Sequence, residues 1–172
     1  MTHVQTYRCA DFANIDEAVA QYLTTIDSKI MYACIDVACP VTGDKVDLTN
    51  NHWCFSQQKL AAQFGFEKLI VINDFTAIAM AVPELGDADK IQIGGSEPQD
   101  KKPIAIYGAG TGLGVAHLVH SGHKWLALGG EGGHIDFAPT DPLQIKILEH
   151  LKKKYASVSA EQLLSGLGLV QI

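Results

Sequence analysis

No apolar run in this 172-residue chain approaches the roughly 20 residues that a membrane-spanning helix needs. There is also no stripe of Lys and Arg. The 13 basic residues are outnumbered by 19 acidic ones, for a net charge of −6, a balance that argues against a nucleic-acid footprint. The single basic cluster, at 152–154, sits where a helix should end. The four cysteines, Cys9, Cys34, Cys39 and Cys54, contain no CxxC and lack the spacing of a zinc site. They read as buried free thiols of a cytoplasmic protein. The first residues lack the basic-then-apolar pattern of a secretory signal. The phosphate-binding pattern GxxxxGK[ST] is absent as well. A content of 47% hydrophobic and 19% charged residues is ordinary for a globular protein, long enough for one good core or for a small domain plus part of another.

The chain is organised around KLIVINDFTA at 68–77. The run at 69–72 is short, apolar and rich in β-branched residues, as suits a strand buried on both faces of a parallel sheet. It stops at Asn73-Asp74, and a helix is expected over 75–82. A carboxylate is thus held at the carboxyl end of a buried strand, where open α/β sheets bind ligands. Asp74, or Asn73, also fits the simpler role of capping that helix.

Further back, a strand is expected around 4–7. A helix then starts at Asn14, where Asn14 and Glu17 form a capping-box pattern. The run at 30–39 reads as a second buried strand. The segment that follows, PVTGDKVDLTNNHWCFS, is dense in hydroxyl, amide and indole groups. It suits either a polyol pocket or an ordinary polar hairpin turning at Gly43-Asp44. Ser56 is a good N-cap and Gly65 a good stop for a helix over 57–64. The polar stretch 87–102, with one short strand near Ile91, reads as an inter-domain crossing.

Two glycine-rich blocks follow. In the first, a strand over 104–107 runs into GAGTGLG at 108–114 and out into a second strand over 115–119. Glycines there let the backbone turn sharply and bring its N–H groups towards an anion, or simply serve a hairpin that needs them. A strand follows where the dinucleotide fingerprint needs a helix. In the second block, after a strand over 124–128, Glu131 and His134 are flanked by glycines in GGEGGHID. Their side chains suit gripping adjacent hydroxyls. They also suit a metal, although only Asp136 offers itself as a weak third ligand. Asp141 caps a helix with Pro142 at its first position, and Leu143, Ile147, Leu151 and Tyr155 form its apolar face. Ser159 and Gln162 mark a last helix, and Glu161 in its first turn reads by itself as a dipole-favoured surface acid.

Three blocks together, ACPVTGDKVDLTNNHW, VINDFTAIAMAVP, and YGAGTGLGVAHLVH with GGEGGHIDFAP, resemble the bacterial ATP-dependent glucokinase family. The resemblance runs in register from about Thr6 to the last residue. It implies an α/β architecture of the actin-like ATPase (ribonuclease H-like) fold. A small sugar-binding domain over 1–84 would be followed by the first part of a larger α+β domain over 85–172. The resemblance also implies that Asp74 is the catalytic base and that Asn73, Glu131, His134 and Glu161 contact sugar hydroxyls. Thr49, Asn50 and Trp53 would shape the sugar side of the cleft. Gly110-Thr111-Gly112, flanked by Gly108 and Gly114, matches the second phosphate loop. The substrates implied are glucose and ATP, with Mg2+ held mainly through the phosphates. The family's full-length members imply a homodimer, with no nucleic-acid or membrane partner. The cysteine cluster of the related ROK kinases has no counterpart.

Two departures accompany the match. Nothing in 1–13 corresponds to the family's opening DxGGTNxR loop, and the family continues well past Ile172. The expectation is a member truncated at both ends, with apolar side chains such as Leu148, Leu151, Leu163 and Leu164 left uncovered. The alternatives to a glucokinase are a non-catalytic sugar-binding fragment or a kinase for another hexose.

Overall fold

The structure, a computed structural model, describes residues 2–48 and 51–172. The chain divides into two compact units, Met1–Ala77 and Ile78–Ile172, and it is mixed α/β throughout.

In the first unit, α1 (Ile15–Leu23) begins where the sequence signals it. Asn14 accepts the Glu17 N–H at 2.9 Å, and the Glu17 carboxylate reaches back to the Ala13 N–H, one residue earlier than in the standard capping box. β1 (Tyr32–Val37) lies parallel to β4 (Lys68–Asn73), with Ile35 opposite Val71 and Val37 opposite Asn73. Between them, β2 (Lys45–Asp47) and β3 (Cys54–Ser56) form an antiparallel hairpin, followed by α2 (Gln57–Phe64). Ser56 caps α2 by accepting the Lys59 N–H, and Gly65 closes it in the left-handed conformation at φ 67°. Only glycine takes that conformation without a steric cost.

The parallel pair is covered on one face, where two-sided burial was expected. Ile35, Val37, Leu69 and Val71 join Leu60, Phe64, Val46, Phe55 and Ile15 in one apolar cluster. On the other face Tyr32, Cys34 and Ile70 are exposed. Period-two alternation splits each strand's side chains between the two faces, so one covering layer buries only half of each run. For the same reason Cys34 is exposed. Cys9 and Cys54 are exposed too, and only Cys39 is buried as a free thiol. Burial pushes the Cys39 thiol up, and the Asp74 and Asp47 carboxylates push it the same way.

Two expected strands are absent. Residues 4–7 and the stretch around Ile91 form no strand among the described residues, and Ile91 is 89% exposed. A strand exists only where a second edge takes its N–H and C=O groups, and neither segment reaches one.

Asp44 ties the hairpin to α2. Its carboxylate accepts from Ser56 Oγ at 2.6 Å and from the Gln58 N–H at 2.8 Å. These two bonds, the hydroxyl first, hold the Asp44 pKa below the ordinary carboxylate value. A lowered folded-state pKa means that Asp44 stabilises the fold at neutral pH. The contribution is complete above the ordinary pKa of about 3.9 and is lost as pH falls through the lower folded value. Melting temperature followed from pH 6 to pH 3 should fall more steeply in the wild type than in Asp44→Asn. Parallel curves would refute the assignment.

The second unit holds an antiparallel sheet in the order β5 (Ile104–Ala109), β6 (Leu113–His120) and β7 (Trp125–Gly130). Val115, Ala116 and Leu118 of the central β6 are buried. After β7 come α4 (Pro142–Leu151) and the short α5 (Glu161–Leu164). Asp141 caps α4 by accepting the Leu143 and Gln144 N–H groups. Leu151 (2% exposed), Val158 and Leu163 form a second cluster, with Ile147, Leu148, Tyr155 and Phe137 packed on it. Leu151 and Leu163 are therefore covered within this unit and Leu148 partly so, contrary to expectation. Leu143 and Leu164, by contrast, are exposed. Leu143 sits at the open end of α4, one turn beyond the reach of that cluster.

Candidate active site

The first group of site residues stands at the carboxyl end of β4. The choice between Asn73 and Asp74 as helix cap is resolved in favour of Asn73. Its Oδ1 accepts from the Phe75 N–H at 3.0 Å and the Thr76 N–H at 3.3 Å, so it closes the first turn of α3 (Asp74–Ala81). Its Nδ2 donates to the Cys39 carbonyl just beyond β1 and to Asp74 Oδ1 at 2.9 Å. Asn73 thus fastens both strand ends together and orients its neighbour. Asp74 Oδ1 also accepts from the Phe75 N–H at 2.8 Å, while Oδ2 has no hydrogen-bond partner among the described residues. One carboxylate oxygen is held in place and the other is left available. Asn73→Ala should destabilise the fold by about 1 kcal/mol, the usual cost of a lost N-cap. Urea denaturation measures this, and an unchanged midpoint would contradict the capping role.

The polar segment before β4 is largely spent on structure. Lys45 pairs with Asp47 at 2.9 Å. Trp53 is 9% exposed in the apolar cluster, and its indole N–H donates to the Phe12 carbonyl. His52 Nε2 lies 3.1 Å from the Ala13 carbonyl. Trp53 is therefore a core residue that anchors the hairpin. Thr49 and Asn50 lie outside the described residues.

The second group belongs to the other unit. The strand–turn–strand is observed, but its glycines differ in placement. Gly108 faces Gly114 across the β5–β6 ladder, so both belong to the hairpin. The turn proper is Gly110-Thr111-Gly112, closed by the Gly110 N–H donating to the Gly112 carbonyl at 2.8 Å. Among the described residues the Thr111 and Gly112 N–H groups and the Thr111 hydroxyl carry no hydrogen bond. These three donors are what the turn can offer an anion.

Glu131, His134 and Glu161 come together in one chain of contacts. His134 Nδ1 lies 3.3 Å from Glu131 Oε2, and His134 Nε2 lies 3.3 Å from Glu161 Oε1. Glu161 Oε2 accepts the Leu113 N–H at 2.8 Å, at the edge of the glycine turn. The glycines around His134 allow close packing. A Cβ on Gly132 would lie 2.8 Å from Val115 Cγ1, and one on Gly133 would run into the Leu113 carbonyl oxygen. The short 3-10 turn Gly132–His134 thus lies flat against β6 and presents His134 outward. Asp136, the weak third metal ligand, instead accepts from Ser157 Oγ at 3.2 Å. Among the described residues no cluster of three or more His, Cys, Asp or Glu side chains is arranged to hold a metal ion.

Sequence reasoning missed Leu113 and Gly166. The Gly166 N–H donates to the Gly110 carbonyl at 2.8 Å, and a Cβ at Gly166 would stand 3.2 Å from that oxygen, a tight contact. The segment after α5 therefore braces the glycine turn. The only trace in the sequence was the glycine pair at 166 and 168.

Chemically, this group suits a polyol. The two carboxylates accept hydrogen bonds, and adjacent hydroxyls, which both donate and accept, are complementary to such a mixed set of groups.

The family model described as glucokinase matches residues 1–172. A glucokinase of Tolumonas auensis is 52% identical over the whole chain, which covers 54% of that relative. A glucokinase of Yersinia pestis is 48% identical over 98% of the chain and is 52% covered. The chain thus spans about half the length of these curated relatives. Among solved structures, a glucokinase from an Antarctic psychrotroph superposes with a TM-score of 0.87 at 38% identity, over 97% of this chain and 52% of that one. A glucokinase from Balamuthia mandrillaris, solved in complex with glucose, matches at TM-score 0.61 and 22% identity over 91% of this chain and 49% of that one, a likeness of fold alone. With its whole length matched by the family model, the chain belongs to the glucokinase family.

Proposed function

We propose that this chain carries the sugar site and part of the phosphate site of an ATP-dependent glucokinase on the actin-like ATPase fold, transferring the γ-phosphoryl group of ATP to the 6-hydroxyl of glucose. In this reading residues 1–84 belong to the small domain and 85–172 to the first part of the large one. The observation that carries the reading is the division of labour at the end of β4. Asn73 caps α3, so that Asp74, oriented through Oδ1, keeps Oδ2 available to accept a proton.

Asp74 takes the proton of the sugar hydroxyl as that oxygen attacks phosphorus. Phosphoryl transfer depends mainly on positioning and charge stabilisation rather than covalent chemistry. Glu131, His134 and Glu161 grip sugar hydroxyls and fix the orientation, and Thr49 and Asn50, outside the described residues, are further sugar contacts in this reading. Such a site rejects analogues lacking a hydroxyl, because its own polar groups are then left unpaired. The Thr111 and Gly112 amides and the Thr111 hydroxyl receive phosphate oxygens, while Gly108 and Gly114 set the hairpin that aims them. Mg2+ characteristically binds through substrate phosphates while keeping several waters, and in this reading it would be held mainly through the phosphates of the nucleotide.

The proposed cytoplasmic location and homodimeric state rest on the family alone. No helix among the described residues is long and apolar enough to cross a membrane. Calorimetry with glucose, and separately with a non-hydrolysable ATP analogue, tests the reading. Glucose binding is expected, and a chain that binds neither would overturn it.

A further inference from the structure

We infer that Gly112, in the phosphate turn, is a positioning residue for the sugar site, because it makes the room in which the Glu161 carboxylate links the two. The inference rests on the glucokinase reading for the identity of the sugar.

Glu161 has two carboxylate oxygens with two different tasks. Oε2 accepts the Leu113 N–H at 2.8 Å, and Oε1 faces His134 Nε2 at 3.3 Å. The carboxylate is two-thirds covered, with its side chain 31% exposed. It stands so close to the turn that a Cβ at Gly112 would lie 2.5 Å from Oε2 and 3.2 Å from Cδ. Gly112 does not owe its identity to backbone conformation, since it is not among the glycines with positive φ. What requires glycine there is the carboxylate itself. A methyl group at 112 must push Glu161 off the Leu113 amide and away from His134, which disturbs the grip on the sugar from a position that never touches it. The link also runs the other way. The Leu113 N–H is bound to Glu161, so it is withheld from phosphate, and any movement of Glu161 on binding sugar changes the donors that the turn presents. Sugar and nucleotide affinities are then coupled, and such coupling is reciprocal.

The experiment is a double-mutant cycle read by glucose titration calorimetry without nucleotide, with thermal melts to confirm folding. Gly112→Ala should weaken glucose binding about tenfold in the wild-type background. In Glu161→Ala, where the obstructing carboxylate is gone, the same change should alter the already weakened affinity less than twofold, because coupled positions are non-additive. Equal losses in both backgrounds, or none in the wild type, would overturn the inference. A wild-type protein that does not bind glucose would instead overturn the functional reading. A purely structural role for Gly112 would lower the melting temperature without this background dependence.

Discussion

Asp74→Asn is expected to reduce glucose phosphorylation by about 10²–10⁴-fold, the usual contribution of a positioned general base. Asparagine keeps the size and the Oδ1 acceptor that receives the Phe75 N–H and the Asn73 amide, so α3 should start unchanged. What is lost is the second carboxylate oxygen, which among the described residues has no hydrogen-bond partner of its own. The loss should therefore fall on kcat, with glucose affinity held within a few-fold. A coupled assay of glucose 6-phosphate together with glucose calorimetry separates the two. Retained turnover would end the assignment of Asp74 as the base. A parallel loss of affinity would make Asp74 a binding residue instead.

Gly133→Ala is expected to abolish measurable glucose binding and to destabilise the protein by about 1–3 kcal/mol, as overpacking typically does. The added Cβ would run into the Leu113 carbonyl oxygen and lie 3.0 Å from Leu113 Cβ. The obstacle is backbone, so no side-chain rotamer relieves it. Either the Gly132–His134 turn lifts off β6 or the end of β6 gives way. Lifting the turn carries His134 away from Glu161, and displacing Leu113 removes the N–H that Glu161 holds. Both routes dismantle the Glu131–His134–Glu161 group. Denaturant melts and glucose titration check the two effects. A variant as stable as the wild type with intact affinity would show that this contact is not tight in solution.

These two residues differ in how far the sequence alone revealed them. The place of Asp74 at the carboxyl end of a strand was legible because an apolar run ending in a carboxylate is a local pattern, although the way it shares N–H groups with Asn73 was not. Capping is decided by which oxygen meets which N–H, and adjacent Asn and Asp compete for the same groups. In the sequence Gly133 is only one of the glycines flanking Glu131 and His134. In the fold it is a contact point, because β6, some twenty residues earlier in the chain, passes directly beneath it.

Some helix ends were legible in sequence alone, although the last helix starts after Ala160 without a side-chain cap and not at the expected Ser159. Asn14, Ser56, Gly65 and Asp141-Pro142 all act on groups within a few residues of themselves, so no distant partner could override them. The hairpin across 104–120 was equally local, as a glycine-dense turn between two β-branched runs. Other features were left to the tertiary structure. It decided which face of β1 and β4 was covered, since alternation says only that two faces exist. It left 4–7 and the Ile91 segment unpaired, since a strand needs an edge supplied from elsewhere. It placed the Trp53 ring in the core. It also turned Glu161 from a surface acid into the link between glycine turn and imidazole, through a hydrogen bond spanning 48 residues. Local chemistry sets where elements begin and end. Long-range packing sets which side chains meet, and the site is made of such meetings.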